Sequence, residues 1–196
     1  MIVIVDYGAG NLASVTKAIE HLGQQCVVTA DAERIAGAGK LIIPGVGNFK
    51  ATTPLVKAGL GDAVRNAIAG NKPVLGICLG LQWMFDGSDE APELRGLSAF
   101  NGTCTRFSDR VKSPHVGWNR IQVATQSRLL SGVPDGSYVY FTHSYRAPLC
   151  AETVATCTYE ESFTAAVERD NLFGLQFHPE KSGQIGMKIL ENFCAL

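Results

Sequence analysis

The sequence predicts an α/β fold: a central, mostly parallel sheet flanked by helices, with an antiparallel, strand-rich addition. Three observations carry this. Over residues 1–86, short all-apolar runs alternate with helical patterns, the signature of strands buried on both faces of a parallel sheet. Over residues 97–168 the rhythm changes to short strands separated by turn residues. The chain has 196 residues, close to the ~150 expected of one domain. It is expected to form a single domain over residues 1–196 with a full core.

Each element follows in order. Ile2–Val5 is all apolar and reads as the first strand, and Asp6-Tyr7-Gly8-Ala9-Gly10-Asn11 as a turn. Leu12, Val15, Ile19 and Leu22 then recur at helical spacing until Gly23 stops the helix. Cys26–Val28 and Leu41–Ile43 are the second and third strands, the latter ending at Pro44-Gly45-Val46-Gly47. Residues 54–69 are helical in pattern, Pro73–Ile77 is the fourth strand, and a helix begins near Leu79. Strands are then expected at Thr103–Phe107, Arg120–Val123, Tyr138–Phe141, Thr153–Thr158, Phe163–Val167 and Leu172–Phe177. A last helix presents Ile185, Ile189 and Phe193 on one face, with Ser182 as its N-cap.

Composition removes several function classes. Lys plus Arg number 17 against 18 Asp plus Glu, a net charge of −1, unlike the basic surface of a nucleic-acid binder. No stretch of 18 apolar residues exists, so no membrane partner is expected. The six cysteines are irregularly spaced and form no Cys/His cluster, so no metal site and no cofactor are expected. With no basic, apolar leader pattern at Met1–Asp6, reduced cysteines and a cytoplasmic location are the expectation. Charged residues make up 18% against an average near ~25%, which fits a surface partly covered by a partner.

The chemistry centres on Gly76-Ile77-Cys78-Leu79-Gly80, where an apolar strand turns into a helix. This is the layout of a nucleophile elbow, with small neighbours for the tight turn and a helix start that favours a thiolate. Cys26, Cys104, Cys150, Cys157 and Cys194 lack this setting and read as small hydrophobes. A cysteine nucleophile needs a base and an orienting group. Phe177-His178-Pro179-Glu180 supplies both, because residues two apart in an extended segment share a side and Pro179 keeps His178 extended. Alone, the pair would equally suit a surface histidine and a helix-start glutamate. The N–H of Leu79 and a backbone N–H of the loop Pro44-Gly45-Val46-Gly47 are the candidate oxyanion donors, the resemblance given below pointing to Gly47; on its own evidence that loop is equally an ordinary turn.

These motifs resemble the class I, triad-type glutamine amidotransferases. Five segments narrow the resemblance: Asp6–Asn11, Pro44–Gly47, Pro114-His115-Val116-Gly117-Trp118-Asn119, His143-Ser144-Tyr145 and His178-Pro179-Glu180-Lys181-Ser182. In this order and spacing they are similar to the glutaminase subunits of imidazole glycerol phosphate synthases. The resemblance implies that Cys78 attacks the side-chain amide of L-glutamine, that His178 moves the proton and that Glu180 orients it. It places Gln82, Glu90, Ser144 and Tyr145 around the substrate. It places Asn11, Trp118, Tyr140 and Lys181 against a (β/α)₈ cyclase partner, in a heterodimer that makes imidazole glycerol phosphate and an aminoimidazole carboxamide ribonucleotide. Leu81, where the family often has Met, and Gly183 are small departures that touch no catalytic group.

Two other readings compete. Gly8-Ala9-Gly10-Asn11-Leu12-Ala13 fits a dinucleotide-binding turn, with Asp31 as the ribose-binding acid; it leaves the elbow and His178-Pro179-Glu180 unexplained. The glutaminase of pyridoxal phosphate synthase is similar in size but lacks the first and third segments.

Overall fold

The computed structural model describes residues 1–57 and 59–196. The strands are β1 (Ile2–Val5), β2 (Cys26–Thr29), β3 (Lys40–Ile43), β4 (Val74–Ile77), β5 (Gly87–Ser88), β6 (Thr103–Arg106), β7 (His115–Arg120), β8 (Gln122–Val123), β9 (Tyr138–His143), β10 (Tyr145–Arg146), β11 (Thr153–Tyr159), β12 (Glu161–Arg169) and β13 (Leu172–Leu175). The helices are α1 (Leu12–His21), α2 (Ala32–Ala36), α3 (Thr53–Lys57), α4 (Leu60–Ala69), α5 (Leu79–Trp83) and α6 (Gly183–Ala195). Single 3₁₀ turns lie at Phe49–Thr52 and Pro179–Lys181.

Eight strands form the main sheet in the order β2-β1-β3-β4-β13-β12-β11-β8. Its first five are mutually parallel, and β12, β11 and β8 add antiparallel. The parallel strands β1, β4 and β13 are buried along their whole length, which is why they read as unbroken apolar runs. Two apolar clusters cover the two faces. One holds Ile4, Ile19, Phe141, Phe163, Phe177 and Phe193, and the other Val3, Leu41, Phe49, Leu79, Trp83 and Phe85. Each such side chain contributes roughly 1.5–3 kcal/mol by leaving water.

This order puts every motif at one edge. The turn after β1, the glycine loop after β3, Cys78 after β4 and His178 after β13 all leave the carboxyl ends of parallel strands, the usual place for a site in an α/β sheet. A small β7–β9 ribbon, with Trp118 opposite Tyr140, is the platform above that edge.

Several expectations are corrected. The helical span 54–69 is two helices: Gly59 sits at φ +72, a left-handed turn that starts α4. Ala58, inside that span, lies outside the described residues. The strand expected at Arg120–Val123 divides, because Ile121 turns fully into the core between β7 and β8 and its N–H goes to Ser137 instead. The strand at Leu172–Phe177 ends at Leu175; the Gln176 N–H still reaches the Ala165 carbonyl of β12 before the His178 N–H turns to Tyr140 on β9. Ser182 precedes α6 but caps nothing with its side chain; its hydroxyl donates to the His178 carbonyl and accepts from the Tyr140 N–H. Asp31 caps α2, accepting from Glu33 and Arg34 N–H groups, so this acid has a local structural task rather than a ribose-binding one.

Candidate active site

Cys78 sits at φ +54 and ψ −105, a conformation that non-glycine residues rarely hold and that costs of order 1–3 kcal/mol. The surroundings enforce it. Its N–H donates to the Leu175 carbonyl at 2.7 Å. Gly76 and Gly80 let the turn close: a Cβ on Gly76 would lie 2.7 Å from the Gly80 carbonyl oxygen, and one on Gly80 would overlap the Ile43 carbonyl. The result aims the Cys78 sulfur away from β4, close to the Thr142 carbonyl, which it meets at 3.9 Å.

His178 is held from both sides. Its N–H donates to the Tyr140 carbonyl at 2.9 Å, and its own carbonyl accepts from Ser182 and Lys181. Its Nδ1 meets Glu180 Oε1 at 2.8 Å, with both side chains almost wholly buried. That bond assigns Nδ1 as the protonated nitrogen and leaves Nε2, which has no hydrogen-bond partner, on the side of Cys78. Burial alone would lower His178. The facing Cys78 sulfur and Glu180 outweigh it and raise the imidazole to about 10.

A cavity of about 260 Å³ opens over the sulfur, lined by Gly47, Cys78, Leu79, Gln82, Glu90, Pro114, Thr142, His143, Ser144 and Tyr145. It is smaller than the roughly 300–1,000 Å³ of drug-sized pockets and fits a single amino acid. A larger open depression, about 610 Å³ with Arg128 and Asp170 on its wall, lies at the opposite, amino-terminal ends of β4 and β13 and is lined by no cysteine or histidine. Among the described residues no group of His, Cys, Asp and Glu is arranged to hold a metal.

The structure gathers Cys78, Gly47, Leu79, Gln82, Glu90, Ser144 and Tyr145 around this cavity; the paired His178 and Glu180 lie outside its wall, with Glu180 on a separate depression beside α6. The details refine several of them. The Leu79 N–H donates to the Gly45 carbonyl at 3.4 Å, so the resting glycine loop occupies that donor. Gly47 lines the cavity at φ +100, a conformation open to glycine. Gln82 gives both amide protons away, to the Tyr145 carbonyl at 2.7 Å and to Gln176 Oε1 at 3.2 Å, which leaves its own oxygen for the cavity. Glu90 Oε2 accepts from the Phe49 N–H at 2.7 Å, leaving its second oxygen. Helix α5 has only five residues, so the elbow rests more on its hydrogen bonds than on a long helix dipole.

Of the four residues expected at the partner face, three cluster. The Trp118 and Tyr140 rings lie 6.0 Å apart, and Lys181 Nζ lies 5.8 Å from the Tyr140 ring. Trp118 is 55% exposed, a large apolar side chain in water. Asn11 has a structural task as the cap of α1, accepting from the Ser14 N–H.

Sequence reasoning passed over two groups. Gln176, fully buried, donates toward the Cys78 sulfur; its only signal was a lone polar residue in an apolar strand, in register with His178. His143, on the cavity wall, is joined at 3.2 Å to His115. Burial pushes His115 down to about 4 and His143 to about 3, so both are neutral.

A class I glutamine amidotransferase family model matches residues 3–196. The protein named imidazole glycerol phosphate synthase subunit HisH of Thermococcus kodakarensis is 46% identical over 202 residues, covering 100% of both chains. The protein of that name from Geobacillus thermodenitrificans is 44% identical, covering 100% of this chain and 96% of its own. A solved structure titled as a glutamine amidotransferase has the same fold, with a TM-score of 0.78 at 18% identity, over 100% of this chain and 98% of that one. The chain belongs to the class I glutamine amidotransferases, in the group whose members are named imidazole glycerol phosphate synthase subunit HisH.

Proposed function

We propose that this chain is the glutaminase subunit of imidazole glycerol phosphate synthase in histidine biosynthesis. Cys78 thiolate adds to the side-chain amide carbon of L-glutamine. The His178 imidazolium gives its proton to the leaving nitrogen, the C–N bond breaks, and ammonia and a glutamyl thioester form. His178, now neutral, takes a proton from water, which attacks the thioester. The C–S bond breaks with its electron pair on sulfur, and glutamate leaves. Glu180 keeps His178 in the tautomer that points Nε2 at the sulfur. The free oxygens of Gln82 and Glu90 suit the substrate's α-ammonium group, and the Ser144-Tyr145 segment closes the wall. Leu79 N–H and the loop at Gly47 serve the oxyanion once the Gly45 carbonyl turns away.

The ammonia is passed within a heterodimer to a (β/α)₈ cyclase subunit that carries the nucleotide acceptor. Protonation in water would destroy its nucleophilicity, so a sheltered route is required. Trp118, Tyr140 and Lys181, with Asn11 at the same sheet edge, form the docking face. A cytoplasmic location accords with six free cysteines, and among the described residues no helix is long and apolar enough to cross a membrane.

The observation that carries this reading is the strained Cys78 elbow on the wall of one small cavity, its sulfur faced by a buried His178–Glu180 pair. The test is glutamate release by this chain alone and with purified cyclase and its nucleotide ligand. The isolated chain is expected to be slow, because one oxyanion donor is occupied, and the complex faster by on the order of 10²–10³. No glutamate release in either sample overturns the proposal.

A further inference from the structure

Gln176 lies just beyond β13, two residues before His178, and is fully buried. Its amide orientation is dictated by neighbours that have no alternative. The Ala147 backbone N–H donates to Oε1 at 3.3 Å, and a backbone N–H can only donate. Gln82 Nε2 donates to the same oxygen at 3.2 Å. Gln82 is itself locked, because its Nε2 also serves the Tyr145 carbonyl at 2.7 Å, where its oxygen would be repelled. Both constraints place Gln176 Nε2 on the other side, 3.8 Å from the Cys78 sulfur.

The locking extends further back. The Tyr145 carbonyl also accepts from His143 Nδ1 at 2.8 Å, which leaves His143 Nε2 as acceptor for His115 Nδ1 at 3.2 Å. His115 Nε2 then accepts from Asn119 Nδ2, whose second proton goes to the Thr158 carbonyl. Every donor has one direction, so the network has a single assignment from Asn119 on β7 to the sulfur. A network with one satisfied arrangement is stiff, and flipping any member buries an unpaired group.

We infer that Gln176 is a dedicated N–H donor to the Cys78 sulfur, a positioning and charge-stabilising residue for the glutaminase step. The inference rests on Cys78 being the nucleophile. An amide donor interacts more strongly with a thiolate than with a thiol or a thioester. It therefore stabilises the sulfur anion before attack. It does so again when water has added to the thioester and the C–S bond breaks, leaving the electron pair on sulfur. It also fixes the direction of the sulfur toward the cavity.

The test is the pH profile of Cys78 alkylation by iodoacetamide in the full chain, read by peptide mass spectrometry so that the other five cysteines do not interfere. Gln176→Met keeps the length and removes the donor. Its alkylation midpoint is expected to rise by about one pH unit, a tenfold loss of labelling on the acid side with the plateau rate kept within about twofold. Glutamine hydrolysis by its complex with the cyclase is expected to fall about tenfold in kcat with KM little changed. A second measurement needs no change at Gln176. In the unmodified chain its side-chain NH₂ resonances should shift through the Cys78 transition, and in Cys78→Ala they should not. An unmoved midpoint, or NH₂ signals indifferent to the transition, overturns the inference and leaves Gln176 a packing residue. Survival of glutamine hydrolysis in Cys78→Ala would instead remove the nucleophile assignment beneath it.

Discussion

Glu180→Gln is the perturbation that separates orientation from charge in the triad. Gln still presents an oxygen to His178 Nδ1–H, so tautomer and ring direction survive. What disappears is the negative charge 2.8 Å from the imidazole in an almost fully buried pair. A hydrogen bond to a charged partner contributes about 1.5–3 kcal/mol, so the loss corresponds to roughly 10- to 150-fold in kcat/KM. The new NH₂ falls where Glu180 Oε2 has no hydrogen-bond partner and adds no compensating contact. Glu180 does not line the cavity over Cys78, so the effect should sit in kcat and leave KM within about twofold. Glu180 is also one of the groups that hold His178 up near 10. Its neutralisation should draw the alkaline limb of the activity profile to lower pH, because the imidazolium loses its proton earlier. The assay is steady-state glutamate release from the complex with cyclase and nucleotide, across pH, with His178→Ala in parallel. His178→Ala removes the proton carrier itself and should cost at least as much as any change at Glu180. A Glu180→Gln defect confined to KM, or one larger than that of His178→Ala, would refute the roles assigned here.

Other outcomes follow from the same geometry. Lys181→Ala, which removes the ammonium beside the Tyr140 ring, should weaken stimulation by the cyclase more than basal hydrolysis, measured as the ratio of the two rates. Gly80→Ala should abolish glutaminase activity and lower the melting temperature, because its Cβ would overlap the Ile43 carbonyl; wild-type activity would contradict the elbow's packing. His115 is neutral when folded, with its pKa near 4 against about 6.5 unfolded. Between those values the unfolded chain binds more protons, so stability falls as pH drops through this window. Relative to His115→Gln, wild type should lose about 1.5 kcal/mol more between pH 6.5 and 5 by urea denaturation; an identical pH dependence would show that His115 is protonated in the fold.

The parallel half of the fold was legible because burial on both faces writes itself as unbroken apolar runs, as in Ile2–Val5 and Val74–Ile77. The Cys78 turn and the His178–Glu180 contact were legible because both depend on local spacing. The antiparallel half was less so. Ile121 divides a strand only because two sheets need its side chain at their junction, and no local pattern carries that. Helix α2 was missed because five residues give no periodicity; only the Asp31 cap marks it. Gln176 and the His115–His143 pair escaped for a different reason. Their partners are 98 and 28 residues away in the chain, and such contacts exist only once the fold has formed.

Cys78→Ala in the complex with cyclase tests the central claim most directly, with glutamine and ammonium supplied separately at alkaline pH. The account predicts no turnover of the nucleotide with glutamine and near wild-type turnover with ammonium, because the alanine removes the nucleophile and leaves the docking face intact. Glutamine-dependent turnover at more than a trace of the wild-type rate would contradict it.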